Sequence, residues 1–178
     1  GTIALLDDTG GGVGGINYLT GDNSSADFTV GDWLTYADAA GTSPVDGTGG
    51  SATTTFARNT TTPLRGDADF KLVKDAANRQ GEGASCAFSI DNADKAQLLT
   101  CTLEYDASHV GYADDDIVFS VYDVTNASLI SIHGAELKGG KGKHIFQFQA
   151  ASDSTSYRLI AHVSSVNASA YDVYFDTF

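Results

Sequence analysis

Apolar side chains recur at every second position in a series of short runs, and no other feature restricts the fold as strongly. Phe70 and Leu72 share one parity. So do Cys86, Phe88 and Ile90, then Leu99, Cys101, Leu103 and Tyr105, then Ile117, Phe119 and Val121, and finally Tyr171, Val173 and Phe175. Successive residues of a strand point to opposite faces, so each run has one side to bury. The runs are "INYL", "DWLTYA", "ATTTFAR", "DFKLVKD", "ASCAFSI", "LLTCTLEY", "DIVFSVYDV", "SLISIH", "KHIFQFQA", "SYRLIAHV" and "AYDVYFDTF". About ten strands at a spacing of roughly 8–15 residues predict a sandwich or barrel. "VKDAANRQGEG" and "DNADKAQ" have room for a turn or two of helix and are too polar to anchor more. The expected architecture is all-β, a jelly-roll β-sandwich of two antiparallel sheets. An immunoglobulin-like sandwich fits less well, because 178 residues exceed that fold's usual ~100.

The first residues stand apart. "TIALLD" is a short strand-like run, and "TGGGVGG" after it is a flexible tether. The chain therefore divides into residues 1–15, an N-terminal strand and Gly-rich linker, and residues 16–178, the sandwich. The strand from Thr2 to Asp7 either frays on its own domain or adds to a neighbouring subunit's sheet edge. The chain begins at Gly1 and shows no signal peptide, so it reads as a processed or excerpted piece.

A formal charge of −13 repels phosphate backbones and anionic lipid, which argues against nucleic acid and membrane surfaces as partners. No apolar run approaches the ~20 residues of a spanning helix. Cys86 and Cys101 lack metal-site spacing; they form one disulfide or are two small core residues. His109, His133, His144 and His162 are scattered, and no motif for a nucleophile or a phosphate loop is present, so an enzyme is not expected.

Three short motifs have plain readings. "PLRGD" contains an RGD tripeptide, yet Pro63 and Gly66 mark a tight turn and Asp67 need only follow it. Asp114, Asp115 and Asp116 form a like-charge run, expected to face water rather than grip a cation. Sequons begin at Asn23, Asn59, Asn126 and Asn167; they are either glycan acceptors in a secreted eukaryotic chain or ordinary turn sequences.

Several stretches together carry a family likeness: "GGINYLTGDNSSADFTVGDW", "TTPLRGDADFKLVKDAANRQGEGAS", "VYDVTNASLI" and "STSYRLIAHVSSVNASAYDVYFD". Over roughly Ile16 to Phe178 the chain resembles the carbohydrate-binding-module-like jelly rolls of bacteriophage tail fibres and other virion structural proteins. The family's opening strand departs here, with Ala26 at its aromatic position and Asp32 splitting Gly31 from Trp33. The resemblance implies a structural calcium near the paired first and last strands, with Asn23, Asp27 and Asp176 as candidate ligands. Otherwise Asp27 and Asp176 are ordinary solvated acids. The resemblance favours turn sequences over glycan acceptors at the sequons.

If the module holds sugar, flat aromatic faces beside polar groups should do so. Tyr36, Tyr112, Tyr122 and Tyr174 are the candidates, while Trp33 is expected in the core. The resulting expectation is a non-enzymatic virion module, a tail fibre or particle decoration, extracellular or on the virion. It would hold host-surface glycan and associate with other virion subunits as a homo-oligomer. The alternatives are a self-assembling capsid-decorating or filament subunit joined by N-terminal strand addition, and the ancillary domain of a carbohydrate-active enzyme.

Overall fold

The structure is a computed structural model that describes residues 17–27 and 29–178. The expected strand at Thr2–Asp7 and the glycine tether lie outside the described residues. Eleven strands follow one another: β1 (Leu34–Ala37), β2 (Thr55–Asn59), β3 (Asp69–Lys74), β4 (Glu82–Ser89), β5 (Leu98–Ala107), β6 (Ile117–Asp123), β7 (Ser128–Ile130), β8 (Ile132–His133), β9 (Gly140–Gln149), β10 (Ser156–Val163) and β11 (Tyr171–Asp176). They form a five-stranded sheet, β1-β4-β10-β6-β7, and a six-stranded sheet, β2-β3-β11-β5-β9-β8. Every pairing is antiparallel. The chain is thus the expected all-β jelly-roll sandwich.

The alternation read in the sequence sets the core. Phe70, Leu72, Cys86, Leu99, Cys101, Leu103, Ile117, Phe119, Val121, Val173 and Phe175 are all fully buried. Trp33 is buried as expected, with its ring 4.9 Å from that of Phe56 and 5.0 Å from that of Phe178. Its indole N–H donates to the Asn23 carbonyl at 3.0 Å, so the polar edge is satisfied as the ring is buried. Cys86 and Cys101 are free thiols rather than a bonded pair. They belong to different sheets, β4 and β5, and fill the interior as small apolar groups. Burial pushes both thiols up, Cys86 to about 12.

Two strand expectations are corrected. "SLISIH" is not one strand: the chain leaves the five-stranded sheet after Ile130 and enters the six-stranded sheet at Ile132. Residues 17–19 of "INYL" are not a strand, because the Asn17 side chain accepts the Leu19 N–H and turns the backbone. A single helical turn, α1 (Asp22–Ser25), follows. It clasps the chain's last residue: the Phe178 N–H donates to the Ser24 carbonyl at 3.1 Å, and the Ser24 hydroxyl donates to the Phe178 carbonyl at 3.0 Å.

The acidic run does not simply face water. Asp116 is 1% exposed and accepts from the Ala113 N–H, the Asn167 amide and the Ser165 hydroxyl. Asp115 pairs with Lys138, and Asp114 accepts the Gly139 N–H. The four sequon asparagines are likewise committed. Their side-chain amides donate to Asp32, Asp69, Asp123 and Asp116 respectively, as turn and loop ties. The Arg65 side chain of the RGD turn is held by both carboxylate oxygens of Glu104.

Candidate functional site

The outward parity of the five-stranded sheet carries Leu34 and Tyr36 on β1, Gly83, Ser85 and Ala87 on β4, Arg158, Ile160 and His162 on β10, and Tyr122 on β6. Register aligns Leu34 with Ser85, Tyr36 with Gly83, and Arg158 with both Ala87 and Tyr122. Part of this face is roofed by residues 38–50, the connection from β1 to β2. One carboxylate oxygen of Asp38 accepts the N–H groups of Val45, Asp46 and Gly47 at 2.8, 3.3 and 3.1 Å, which curls the loop. Gly47, at φ 72°, lies so close to the sheet that a β-carbon there would sit 2.7 Å from the Ile160 side chain. The Ser85 hydroxyl then reaches the Gly47 carbonyl at 2.6 Å, and Arg158 Nη1 reaches the Asp46 carbonyl at 2.6 Å.

A buried pair anchors the far end of the roof. His162 Nε2 meets the Gly41 carbonyl at 2.9 Å, and Nδ1 meets the Tyr36 hydroxyl at 2.6 Å. A carbonyl only accepts, so Nε2 carries the proton and Nδ1 accepts from Tyr36. Burial holds the His162 imidazole below its ordinary pKa, which keeps this neutral tautomer in place.

Between the roof and the exposed part of the sheet runs a groove of about 190 Å³. Leu34, which is 71% exposed, and Ala87 supply apolar floor; Thr48, Ser85, Asp32 and Arg158 supply polar edges. Arg158 lies over the Tyr122 ring, 5.7 Å from its centroid, which with the Asp46 carbonyl restrains the side chain. A concave site with an apolar floor and a few convergent polar groups is suited to a small polar ligand with one less polar face.

A second hollow of about 250 Å³ lies on the six-stranded sheet, lined by Leu64, Glu104, Tyr105, Lys141, Gly142 and Lys143. Most of its charges are already spoken for. Glu104 is bound by Arg65, which lowers its pKa, and Lys141 pairs with Asp106 at 2.7 Å. The first groove is therefore the stronger candidate.

The four candidate tyrosines do not converge. Tyr36 is 1% exposed; it forms a wall of the groove and cannot offer a stacking face, because the roof covers it. Tyr112 belongs to a loop junction, donating to the Leu137 carbonyl at 2.8 Å and packing edge-on against Tyr171. Tyr174 lies on the opposite sheet with the Lys71 ammonium 5.4 Å from its centroid. Tyr122 adjoins the groove, with Arg158 on its ring. Sequence reasoning missed Leu34, Asp32 and Arg158. The available signal was the outward parity of Arg158 in "SYRLIAHV" together with the glycine cluster of "SPVDGTGG".

The three candidate calcium ligands also separate. Both polar ends of the Asn23 amide are committed to Asp32. Asp27 and Asp176 do lie within each other's electrostatic reach. Among the described residues, no group of three or more His, Cys, Asp or Glu side chains is placed to hold a metal ion. Asp176 is 1% exposed, and burial, reinforced by the charges of Asp69, Asp27 and Glu104, pushes its carboxyl up to about 7. The folded chain thus holds this proton more tightly than the unfolded chain between about pH 4 and pH 7, and Asp176 makes stability fall as pH rises across that window. Asp176→Asn should flatten that fall, seen as a smaller change in Tm from pH 4.5 to 8; an unchanged profile contradicts the assignment.

The sequence matches no family model and no curated protein. Solved structures share the fold. The xylan-binding CBM22-1 domain of Paenibacillus barcinonensis Xyn10C superposes with a TM-score of 0.54 at 14% identity, over 87% of this chain and 88% of that one. The C-terminal family 22 carbohydrate-binding module of Clostridium thermocellum Xyn10B gives 0.52 at 12% identity, over 86% and 87%. The enzymatically active domain of tailspike protein 4 from bacteriophage CBA120 gives 0.53 at 10% identity, over 90% of this chain and 20% of that one. The chain therefore has the jelly-roll fold of carbohydrate-binding modules, a fold also found within a phage tailspike.

Proposed function

We propose that the chain is a non-catalytic glycan-binding module of a bacteriophage particle, in a tail fibre or as a decoration, and that the groove on the five-stranded sheet is its site. The observation that carries this reading is the groove itself: an exposed apolar strip at Leu34 and Ala87, edged by hydroxyls and by one oriented guanidinium. Such a strip can meet the less polar face of a sugar ring while the edges bond its hydroxyls. The fold shared with xylan-binding modules supports a sugar as ligand, and the tailspike domain supports a place in a virion. Glycoside hydrolysis uses a pair of carboxyl groups; among the described residues the groove is lined by one, Asp32, which favours binding without cleavage.

In this reading the other partners are virion subunits, including copies of the same chain. The net charge of −13 disfavours nucleic acid and anionic membrane. No helix among the described residues is long and apolar enough to cross a membrane. Calcium is proposed only at Asp27 and Asp176, as two hard oxygen ligands; there it would keep Asp176 ionised and remove the loss of stability towards pH 7.

Ala87 is exposed and lies outside the core, so a tryptophan there obstructs the groove and leaves the sandwich intact. A glycan array should give saturable binding with the unaltered chain, weakened about tenfold or more by Ala87→Trp, a loss of at least ~1.4 kcal/mol. Binding that survives this change places the site elsewhere.

A further inference from the structure

Two charged side chains line the groove, Asp32 and Arg158. Asp32 is occupied: its carboxylate accepts the Asn23 amide at 2.9 Å. Arg158 is differently placed. One nitrogen donates to the Asp46 carbonyl, and one face of the guanidinium rests over Tyr122. Neither partner is a carboxylate, and Arg158 forms no ion pair among the described residues. Arg65, Lys71, Arg79, Lys138 and Lys141 each pair with Asp or Glu. Asp46, whose backbone carbonyl Arg158 holds, uses its carboxylate within its own loop, where it accepts the Thr48 N–H and hydroxyl at 2.8 and 2.7 Å. Arg58 and Lys74 also lack an ion pair but are spent on backbone carbonyls outside the groove; among the described residues Arg158 is the cation that lines this groove, and no acid pairs with it.

The geometry points to a ligand class: we propose that the groove selects saccharides bearing a carboxylate, as in uronic acids, and that Arg158 is the specificity-determining residue. This rests on the glycan-binding reading above and adds the chemistry of the sugar. The contacts to Asp46 and Tyr122 restrain the guanidinium, and the remaining N–H donors of its fork meet no hydrogen-bond acceptor among the described residues. That fork matches a carboxylate with two parallel hydrogen bonds, which a lysine ammonium does not reproduce. Leu34 and Ala87 lie on the same groove floor to take the sugar's apolar face. The overall acidity of the chain opposes an anion at long range. At physiological ionic strength that repulsion is screened beyond about 8 Å; Asp32 is the like charge within the groove, so the ligand carboxylate is assigned to the Arg158 edge and the sugar hydroxyls to the Asp32 edge.

The test is calorimetric titration of the whole chain with a panel of uronic-acid oligosaccharides, each beside its carboxyl-reduced form, plus unrelated neutral oligosaccharides. Reduction of the carboxyl should weaken binding by about tenfold or more. Arg158→Gln should remove most of the difference between the two forms. Equal affinity for the acidic and reduced forms, or preference for neutral sugars, overturns the proposal and leaves the glycan-binding reading standing. No binding by any saccharide overturns both. If Arg158→Gln melts at a much lower temperature than the parent, the comparison of ligands on the unaltered chain still decides.

Discussion

Asp116→Ala is expected to destabilise the sandwich by about 3–5 kcal/mol, as removal of one partner from a buried charged network does. The carboxylate is 1% exposed and accepts from three donors on two loops: the Ala113 N–H at 2.8 Å, the Asn167 amide at 2.6 Å and the Ser165 hydroxyl. Alanine would leave all three without their acceptor at a half-buried junction of two loops. It would also remove the countercharge of Lys74, whose ammonium is buried against the Asp75 and Ser169 carbonyls and lies 5.1 Å from the Tyr171 ring centroid. Burial already holds the Lys74 pKa below its ordinary value, and the charge of Asp116 is the largest influence opposing that. Urea unfolding measures the cost. Asp116→Asn, which keeps acceptor oxygen and loses the charge, should fall between the parent and the alanine variant. A loss below about 1 kcal/mol for alanine would show that the network does not hold these loops.

Phe119→Ala should cost a similar amount, about 3–5 kcal/mol, by a different route. Phe119 points inward from β6 and bridges the two sheets. Its ring stacks on Phe146 at 5.3 Å and on His144 at 5.5 Å, and meets Phe175 edge-on at 5.7 Å. His144 and Phe146 cover the ring from the β9 side and Phe175 and Phe178 meet it edge-on, so alanine leaves a cavity walled by aromatic rings on several sides. Thermal unfolding should shift down by roughly 10 °C or more for a chain of this size. Leu98→Ala on the same scale should change little, because Leu98 is 48% exposed. Equal effects from the two changes would mean that the packing between the sheets is misassigned.

The parts of this molecule that were legible in advance were those written in local alternation. The inward sets of β5, β6 and β11 could be read residue by residue, since each strand's parity depends only on its own sequence. What covers a face does not. Tyr36 stands on the outward parity of β1, as the alternation requires, yet the loop of residues 38–50 returns over it and buries it. The tie between Arg158 and the Asp46 carbonyl joins positions 112 apart, and no short-range pattern announces such a contact. Asp116 shows the same limit. Three consecutive aspartates look alike in sequence, and only the approach of the loop after β10 distinguishes the buried one. The break after Ile130 has no local signal, because both halves of "SLISIH" carry strand character and the change of sheet lies in one connecting residue.

If the groove between the roof loop and β1, β4 and β10 receives a sugar, titrating isotope-labelled chain with the tightest-binding oligosaccharide should move its backbone amide resonances there. The largest shifts are expected at Leu34, Thr48, Ser85, Ala87 and Arg158. Shifts centred instead on Glu104, Lys141 and Lys143 of the opposite sheet would contradict it.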